Sequence, residues 1–86
     1  MIYQSKERNR LEGHTDTVND VSISPDGNII ASASSDQTVR LWTKEGKPFK
    51  KPLQHKHTVL AVSFSHDGKL IASGDNDGVI KIWKLN

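Results

Sequence analysis

The sequence contains no cysteine, so neither a disulfide nor a thiolate metal site can stabilise the fold. A structural zinc would have to use carboxylates and the four histidines, His14, His55, His57 and His66. Because a chain of 86 residues buries only a modest hydrophobic core, oligomerisation is the remaining common means of stabilisation.

Long hydrophobic runs are also missing. No stretch approaches the ~18 apolar residues of a membrane span, and residues 1–6 contain no apolar signal core. We therefore expect a cytoplasmic protein that does not interact with membranes.

Aromatic residues make up only 6% of the chain, too few for a platform on which bases stack. The net charge is only +2, and the sequence has neither a phosphate-binding loop nor a nucleophile-elbow serine. We expect no enzyme activity, no cofactor and no nucleic-acid partner. The lysine-rich stretch 44–56 is interpreted as a solvated edge strand, and attraction of an anion is the alternative.

The sequence does contain an internal repeat. Its period is the distance along the sequence from His14 to His55. Residues 14–42 align without gaps with residues 55–83, and 13 of these 29 positions are identical. A fixed period of this length is typical of folds built from repeated supersecondary units.

Each repeat has the pattern of short strands and tight turns. Val21 and Ile23 alternate with serines, as in a strand, and the period breaks by one residue after Val18, where we expect a bulge. Asp-Gly pairs at 26–27 and 67–68 predict hairpin turns.

The next strands in each repeat are apolar on both faces. They are predicted at residues 29–33 and 38–42 in the first copy and at 70–74 and 79–83 in the second. A sheet without a polar face has to be packed between two other layers. The pattern therefore predicts an all-β fold of small stacked sheets.

These features resemble the WD-repeat family, whose units run from a Gly-His pair to a Trp-Asp pair over about 40–45 residues. The resemblance covers residues 11–85 and implies two four-stranded antiparallel β-propeller blades. The matching motifs are Gly13-His14, Ser24-Pro25-Asp26-Gly27, Asp36 and Leu41-Trp42, then His55, Ser65-His66-Asp67-Gly68, Asp77 and Ile82-Trp83. The chain departs from the pattern at Gln54, in place of the second Gly, and at Thr43 and Lys84, in place of Asp.

In this family a His, a strand Ser or Thr, a turn Asp and the Trp form one buried hydrogen-bonded chain per blade. The resemblance assigns these roles to His14, Ser32, Asp36 and Trp42, and to His55, Ser73, Asp77 and Trp83. A buried carboxylate can fix the tautomer of a histidine, and a buried indole N–H needs an acceptor. Ser, His and Asp also form hydrolase triads, but here the set occurs twice with a Trp each time, so we assign no catalytic residue.

Two histidines, His55 and His57, are spaced as neighbours on one side of a strand and invite a metal-site interpretation. No cysteine or acidic residue lies at ligand spacing from them. We expect a structural role for His55, a solvent-exposed His57 and no metal.

Repeats and blades are offset in the family, because each repeat begins with the outer strand of the preceding blade. This rule makes residues 49–54 the outer strand of the first blade and leaves the second blade, residues 59–85, without one. We therefore expect three parts. Residues 1–12 are an outer strand that completes a neighbouring chain's blade, residues 13–54 form the first blade, and residues 55–86 form the second, whose fourth strand is supplied in trans.

Two blades leave two apolar sheet faces uncovered, whereas repeat folds generally need three or more units. A ring of identical chains covers both faces. We therefore expect homo-oligomerisation with strand exchange into a closed β-propeller. Eight blades from a tetramer are favoured, and six blades from a trimer are the alternative.

The resemblance implies a non-catalytic scaffold for protein–protein interaction, with protein or peptide ligands on the rim of the propeller. The candidate rim residues are Thr17, Asn19, Ser35, Thr58, Leu60 and Asn76. They lack the Trp, Tyr and Arg that dominate interaction hot spots. The alternative is a self-assembly module without a ligand of its own, a fragment of a longer propeller or an engineered chain.

Overall fold

The computed structural model of the protein describes residues 6–85, which form seven β-strands in two antiparallel sheets. The first sheet contains, in order, β1 (Val18–Ile23), β2 (Ile29–Ser34), β3 (Thr38–Thr43) and β4 (Leu53–Gln54). The second sheet contains β5 (Val59–Phe64), β6 (Leu70–Asp75) and β7 (Ile80–Lys84). The predicted all-β class is confirmed, and within the described range no helix is long and apolar enough to cross a membrane.

The hairpins that join these strands form where the Asp-Gly pairs predicted them. In the first, the Ser24 hydroxyl donates to Asp26 Oδ1 at 2.6 Å, and the Gly27 amide donates to the Ser24 carbonyl at 2.8 Å. Gly27 has a φ of 77°, a conformation that glycine adopts without strain. Residues 65–68 form the same turn in the second sheet.

Both first strands contain the predicted bulge. The pairing of β1 with β2 shifts register between Val18 and Asp20, and that of β5 with β6 shifts between Val59 and Ala61. One extra residue on the bulged strand explains why the apolar period breaks at this point in both repeats.

The outer strand of the first sheet is shorter than the predicted range 49–54. β4 pairs with β3 at two positions only, and one bridge joins Trp42 to Pro48 ahead of it. Lys50 has a φ of 62°, and Pro52 has no amide hydrogen, so the ladder is interrupted between the two points of contact.

One face of the first sheet packs against one face of the second, and this joint contains the core. Small side chains on β2 let the sheets approach, so that Ile71 of β6 is completely buried. Burying a side chain of that size stabilises a fold by about 1.5–3 kcal/mol. The core residues are Ala31, Ala33, Val39, Leu41, Val59, Val62 and Ile71.

The other face of each sheet, called its open face below, is partly open to solvent. The open face of the first sheet carries Val21 and Ile23, which are 58% and 62% exposed, with Ile30 beside Ile23 in the strand register. The open face of the second sheet carries Ile80 and Ile82, which are 72% and 61% exposed. Exposed apolar side chains therefore cluster on both open faces.

The outer edge of the second sheet is also uncovered. β7 pairs with β6 and, among the described residues, with no other strand. Such an edge presents free backbone groups that can pair with a further strand.

Residues 6–12 form no strand and run beside the first sheet, where Asn9 Nδ2 donates to the Lys44 carbonyl at 2.7 Å. Residues 1–5 and residue 86 lie outside the described residues. The outer-strand role of residues 1–12, and the boundaries 13–54 and 55–86, therefore stay predictions.

Candidate functional site

A buried chain of hydrogen bonds crosses the first sheet. The Trp42 indole N–H donates to Ser32 Oγ at 2.9 Å, Ser32 Oγ lies 2.5 Å from His14 Nε2, and His14 Nδ1 lies 2.8 Å from Asp36 Oδ2. The side chains of His14 and Asp36 are only 6% and 7% exposed. The structure thus brings together the four residues assigned to the first repeat.

The second sheet contains the same chain with a different carboxylate. Trp83 donates to Ser73 Oγ at 2.8 Å, Ser73 Oγ lies 2.6 Å from His55 Nε2, and His55 Nδ1 lies 3.0 Å from Asp75 Oδ2. The assignment of Asp77 to this position was wrong. The side chain of Asp77 is 66% exposed, and its Oδ2 lies 3.6 Å from Nε2 of the exposed His57.

The difference arises in the turn that precedes the third strand of each sheet. In the first sheet, Asp36 Oδ1 accepts the Thr38 amide at 3.0 Å and the Thr38 hydroxyl, while Ser34 accepts the Asp36 amide at 3.1 Å. The second sheet has Val79, which has no hydroxyl, in the place of Thr38.

In the second sheet Asp75 alone accepts the amides of the turn and contacts the histidine, as Ser34 and Asp36 do together in the first sheet. It stands at the position of Ser34, and its Oδ1 accepts the amides of Asp77 and Val79 at 3.0 and 3.1 Å. Its second oxygen is free to reach His55. The sequence signal for this was an aspartate at a buried strand position where the first repeat has serine.

The donors in each hydrogen-bonded chain determine where the hydrogens of the serine and the histidine lie. Because Ser32 Oγ receives the indole hydrogen, its own hydrogen can go to His14 Nε2, and Nδ1 then carries the hydrogen that faces Asp36. Serine, histidine and aspartate are connected as in a hydrolase triad. However, Ser32 and Ser73 are 5% and 1% exposed and lie against the tryptophans, so the hydroxyls connect strands within a sheet.

Asp36 and Asp75, the carboxylates of the two hydrogen-bonded chains, have pKa values below the ordinary range. Burial alone would raise the pKa of Asp36, but hydrogen bonds, led by those from Thr38 and His14, outweigh it. For Asp75 the hydrogen bond from His55 is the largest cause, and it lowers the pKa against a smaller effect of burial.

We expect acid to destabilise the fold below about pH 4. Because the native pKa values are depressed, the stability that Asp36 and Asp75 contribute is complete above the ordinary aspartate pKa of about 3.9 and is lost as the pH falls towards the native values. Urea unfolding measured between about pH 5 and pH 3 should show the midpoint falling. In the double variant D36N/D75N the fall should shrink, and an equal fall would mean that other carboxylates cause it.

The candidate rim residues lie along one edge of the two sheets, at the bulged ends of β1 and β5. The Ser35 amide donates to the Thr17 carbonyl at 2.9 Å, and the Asn76 amide donates to the Thr58 carbonyl at 3.0 Å. Leu60 is 50% exposed at the bulge of β5.

Asn19 differs from the other rim residues because its side chain reaches the other sheet. Its Nδ2 donates to Ser35 Oγ at 3.1 Å and to the Val59 carbonyl of the other sheet at 2.9 Å. The repeat alignment could not reveal this contact, since it depends on how the two sheets pack. Asn19 therefore links the sheets.

The two histidines considered for a metal site point to different partners. His55 is committed to the buried chain, and His57 lies at the surface beside Asp77. Residues 6–85 contain no group of three or more side chains arranged to hold a metal ion.

Comparison with known families agrees with this architecture. The family model described as "WD domain, G-beta repeat" matches the chain twice, at residues 5–43 and 46–84. The protein belongs to the WD-repeat family. Its sheets of four and three strands are consistent with WD blades, and they are called the first and second blade below.

Individual relatives carry the same kind of repeat. A WD repeat-containing protein of Synechocystis is 51% identical over 47 residues, which are 55% of this chain and 4% of that protein. The protein transport protein SEC13 of Chaetomium globosum is 55% identical over 42 residues, 45% of this chain and 14% of that one. The small ribosomal subunit protein RACK1y of Oryza sativa is 51% identical over 43 residues, 49% and 13% respectively. The matched region thus spans at most 14% of these relatives.

Proposed function

We propose that this chain is a non-catalytic WD-repeat scaffold for protein–protein interaction that assembles with other copies of itself into a closed β-propeller. WD-repeat proteins generally serve as protein-interaction scaffolds. The proposal includes a cytoplasmic location, no cofactor and no nucleic-acid partner.

The observation that carries the proposal is the chemistry of the two open faces. Val21, Ile23 and Ile30 of the first blade occupy the repeat positions of Val62, Phe64 and Ile71. Those three residues of the second blade line the buried joint with the first. The open face of the first blade therefore repeats one half of the joint.

The open face of the second blade repeats the other half. Its side chains Ala72, Ile80 and Ile82 occupy the repeat positions of Ala31, Val39 and Leu41, which form the first blade's half of the joint. Two copies placed head to tail would thus reproduce the joint that the chain makes internally. Repeated around a ring, this contact covers all open faces.

The position of residues 6–12 supports strand exchange. The hydrogen bond from Asn9 to the Lys44 carbonyl has a counterpart at the equivalent positions one repeat later, where Lys50 Nζ donates to the Leu85 carbonyl at 2.5 Å. Residues 6–12 therefore lie against the first blade as residues 47–53 lie against the second. Since residues 48–54 also supply the outer strand of the blade before them, we expect their repeat equivalents, residues 7–13, to do the same for another copy.

The repeat also sets the register of the exchanged strand. Within the chain, β3 pairs Val39 with Leu53. The repeat equivalent of Val39 is Ile80 and that of Leu53 is Glu12, so Ile80 of one copy pairs with Glu12 of the next. Paired strand residues of this kind lie within the distance that a disulfide can bridge.

Because Ile80 and Glu12 would be paired, we expect the single-cysteine chains E12C and I80C to form a disulfide when they are mixed. The sequence has no other cysteine that could compete. One chain carries a size tag, and the mixed dimer is separated on a non-reducing gel. A control mixture of I80C with R8C, whose cysteine is out of register, should cross-link far less. Equal cross-linking of both mixtures would contradict the register.

Mass in solution tests the assembly itself. The chain has a mass of 9.6 kDa, and we expect a particle of four times that mass, whereas the six-bladed alternative has three times that mass. Deletion of residues 1–11 should abolish the ring. A folded species of 9.6 kDa at all concentrations would contradict self-assembly.

Substitutions at the rim distinguish a scaffold that binds a partner from the alternatives without a ligand. These alternatives are a module that only assembles, a propeller fragment and an engineered chain. Alanine at Thr17, Thr58 and Asn76 should abolish partner binding by a scaffold and leave its ring mass unchanged. Asn19 and Leu60 are unsuitable for this comparison. Asn19 links the two blades, and Leu60 occupies the same repeat position on the face that another copy would cover.

A further inference from the structure

Side chains of β1 satisfy backbone groups of β5 across the joint between the blades. The Val62 amide donates to Asp20 Oδ2 at 3.0 Å, and the Phe64 amide donates to Ser22 Oγ at 3.3 Å. β5 is the first strand of its sheet, so these amides have no ladder partner on that side. Because Val62 is only 5% exposed, an amide without an acceptor there would be costly.

The second oxygen of the same carboxylate serves the first blade. The Val21 amide donates to Asp20 Oδ1 at 3.0 Å. Val21 and Val62 are equivalent positions of the two repeats. A single aspartate therefore satisfies the equivalent amide in both blades.

The second repeat has no such acceptor. Ala61 stands at the position of Asp20, and Leu60 at the position of Asn19. Ser63 is retained at the position of Ser22. A blade that docks on the open face of the second blade can therefore find a hydroxyl there, but no carboxylate.

We propose that Asp20 fixes the order in which blades join, so that the open face of the second blade accepts the first blade of another copy. This inference rests on the proposed self-assembly. The incoming Val21 amide arrives with its own acceptor, Asp20 of the same copy. A second blade that had separated from its own first blade could dock on that face only by burying its Val62 amide against Ala61, whose side chain accepts no hydrogen bond.

The same contacts predict that the two kinds of joint differ in strength. The joint within a chain has the Asn19, Asp20 and Ser22 hydrogen bonds across it. The joint between copies keeps only the hydroxyl of Ser63 and gains the apolar contact of Leu60. A ring built this way alternates between a polar and an apolar joint, and it opens at the apolar one.

The test moves the carboxylate from one repeat to the other. In D20A both amides lose their acceptor, whereas in D20A/A61D the new aspartate can accept the Val62 amide of its own blade and the Val21 amide of the next copy. We expect D20A to raise the concentration at which the ring dissociates by at least about tenfold, and the double variant to restore it. D16A, which removes an exposed aspartate outside the joint, is the matched control and should assemble like the natural chain. The measurement is sedimentation equilibrium over a range of concentrations.

Each outcome decides between the two proposals. Normal assembly of D20A, or a double variant that assembles no better than D20A, overturns the role of Asp20 and leaves self-assembly intact. A natural chain that never assembles overturns self-assembly, and with it the order of joining. If D20A fails to fold, a folded and assembling double variant supports the inference, and a second failure to fold overturns it.

Discussion

Replacing Asp75 by alanine should lower the thermal midpoint of the chain by on the order of 10 °C. The substitution leaves the buried His55 Nδ1 and the amides of Asp77 and Val79 without an acceptor. The buried histidine and two part-buried amides lose their partner at once, and breaking a hydrogen-bond network of this kind is one of the few ways in which a single substitution is severely destabilising.

The neighbouring aspartate provides the matched control. D77A removes only an exposed carboxylate near His57 and should shift the midpoint by less than about 3 °C. D36A in the first blade should behave like D75A, although its position in the repeat is that of Asp77. Melting curves of the three variants by circular dichroism decide the matter, and a D77A variant as unstable as D75A would restore the assignment made from the sequence.

The second large effect concerns a pair of isoleucines at equivalent repeat positions. I71A should cost about 3 kcal/mol of unfolding free energy, because Ile71 is completely buried in the joint between the blades. I30A should cost only about 1 kcal/mol in the single chain, because Ile30 lies half-buried on the open face of the first blade.

The difference between the two variants should depend on protein concentration. When the chain assembles, Ile30 enters a joint like that of Ile71, and the cost of I30A should rise towards that of I71A. Urea unfolding at a low and a high protein concentration measures this change. A cost of I30A that stays the same while the natural chain changes its mass would show that Ile30 is not part of the contact.

Much of the fold could be read from the sequence because local patterns determine it. The serine alternation around Val21, the broken period after Val18 and the Asp-Gly turns depend on backbone geometry within a few residues, and the structure places strands, bulges and turns there. The outer strand was predicted too long, because its limits depend on Pro52 and on the positive φ of Lys50 opposite β3.

The buried hydrogen-bonded chains show where alignment stops being informative. The repeat alignment equates Asp77 with Asp36, yet the carboxylate that reaches His55 is Asp75. In the first blade the Thr38 hydroxyl holds Asp36 in place, and Val79, at the equivalent position, has no hydroxyl. The functions of Asn19 and Asp20 were not predicted, because both contact backbone groups of the other blade. No single repeat contains that information.

The interrupted β4 is joined to the first blade by few backbone contacts. An outer strand with paired residues only at its ends, and with prolines at positions 48 and 52, is released at a much lower free-energy cost than any inner strand. Its detachment would uncover the core next to Phe49 and Leu53 but would leave the pairing of β1, β2 and β3 intact. In the proposed ring, an outer strand exchanged between copies would likewise be released before the blades themselves unfold.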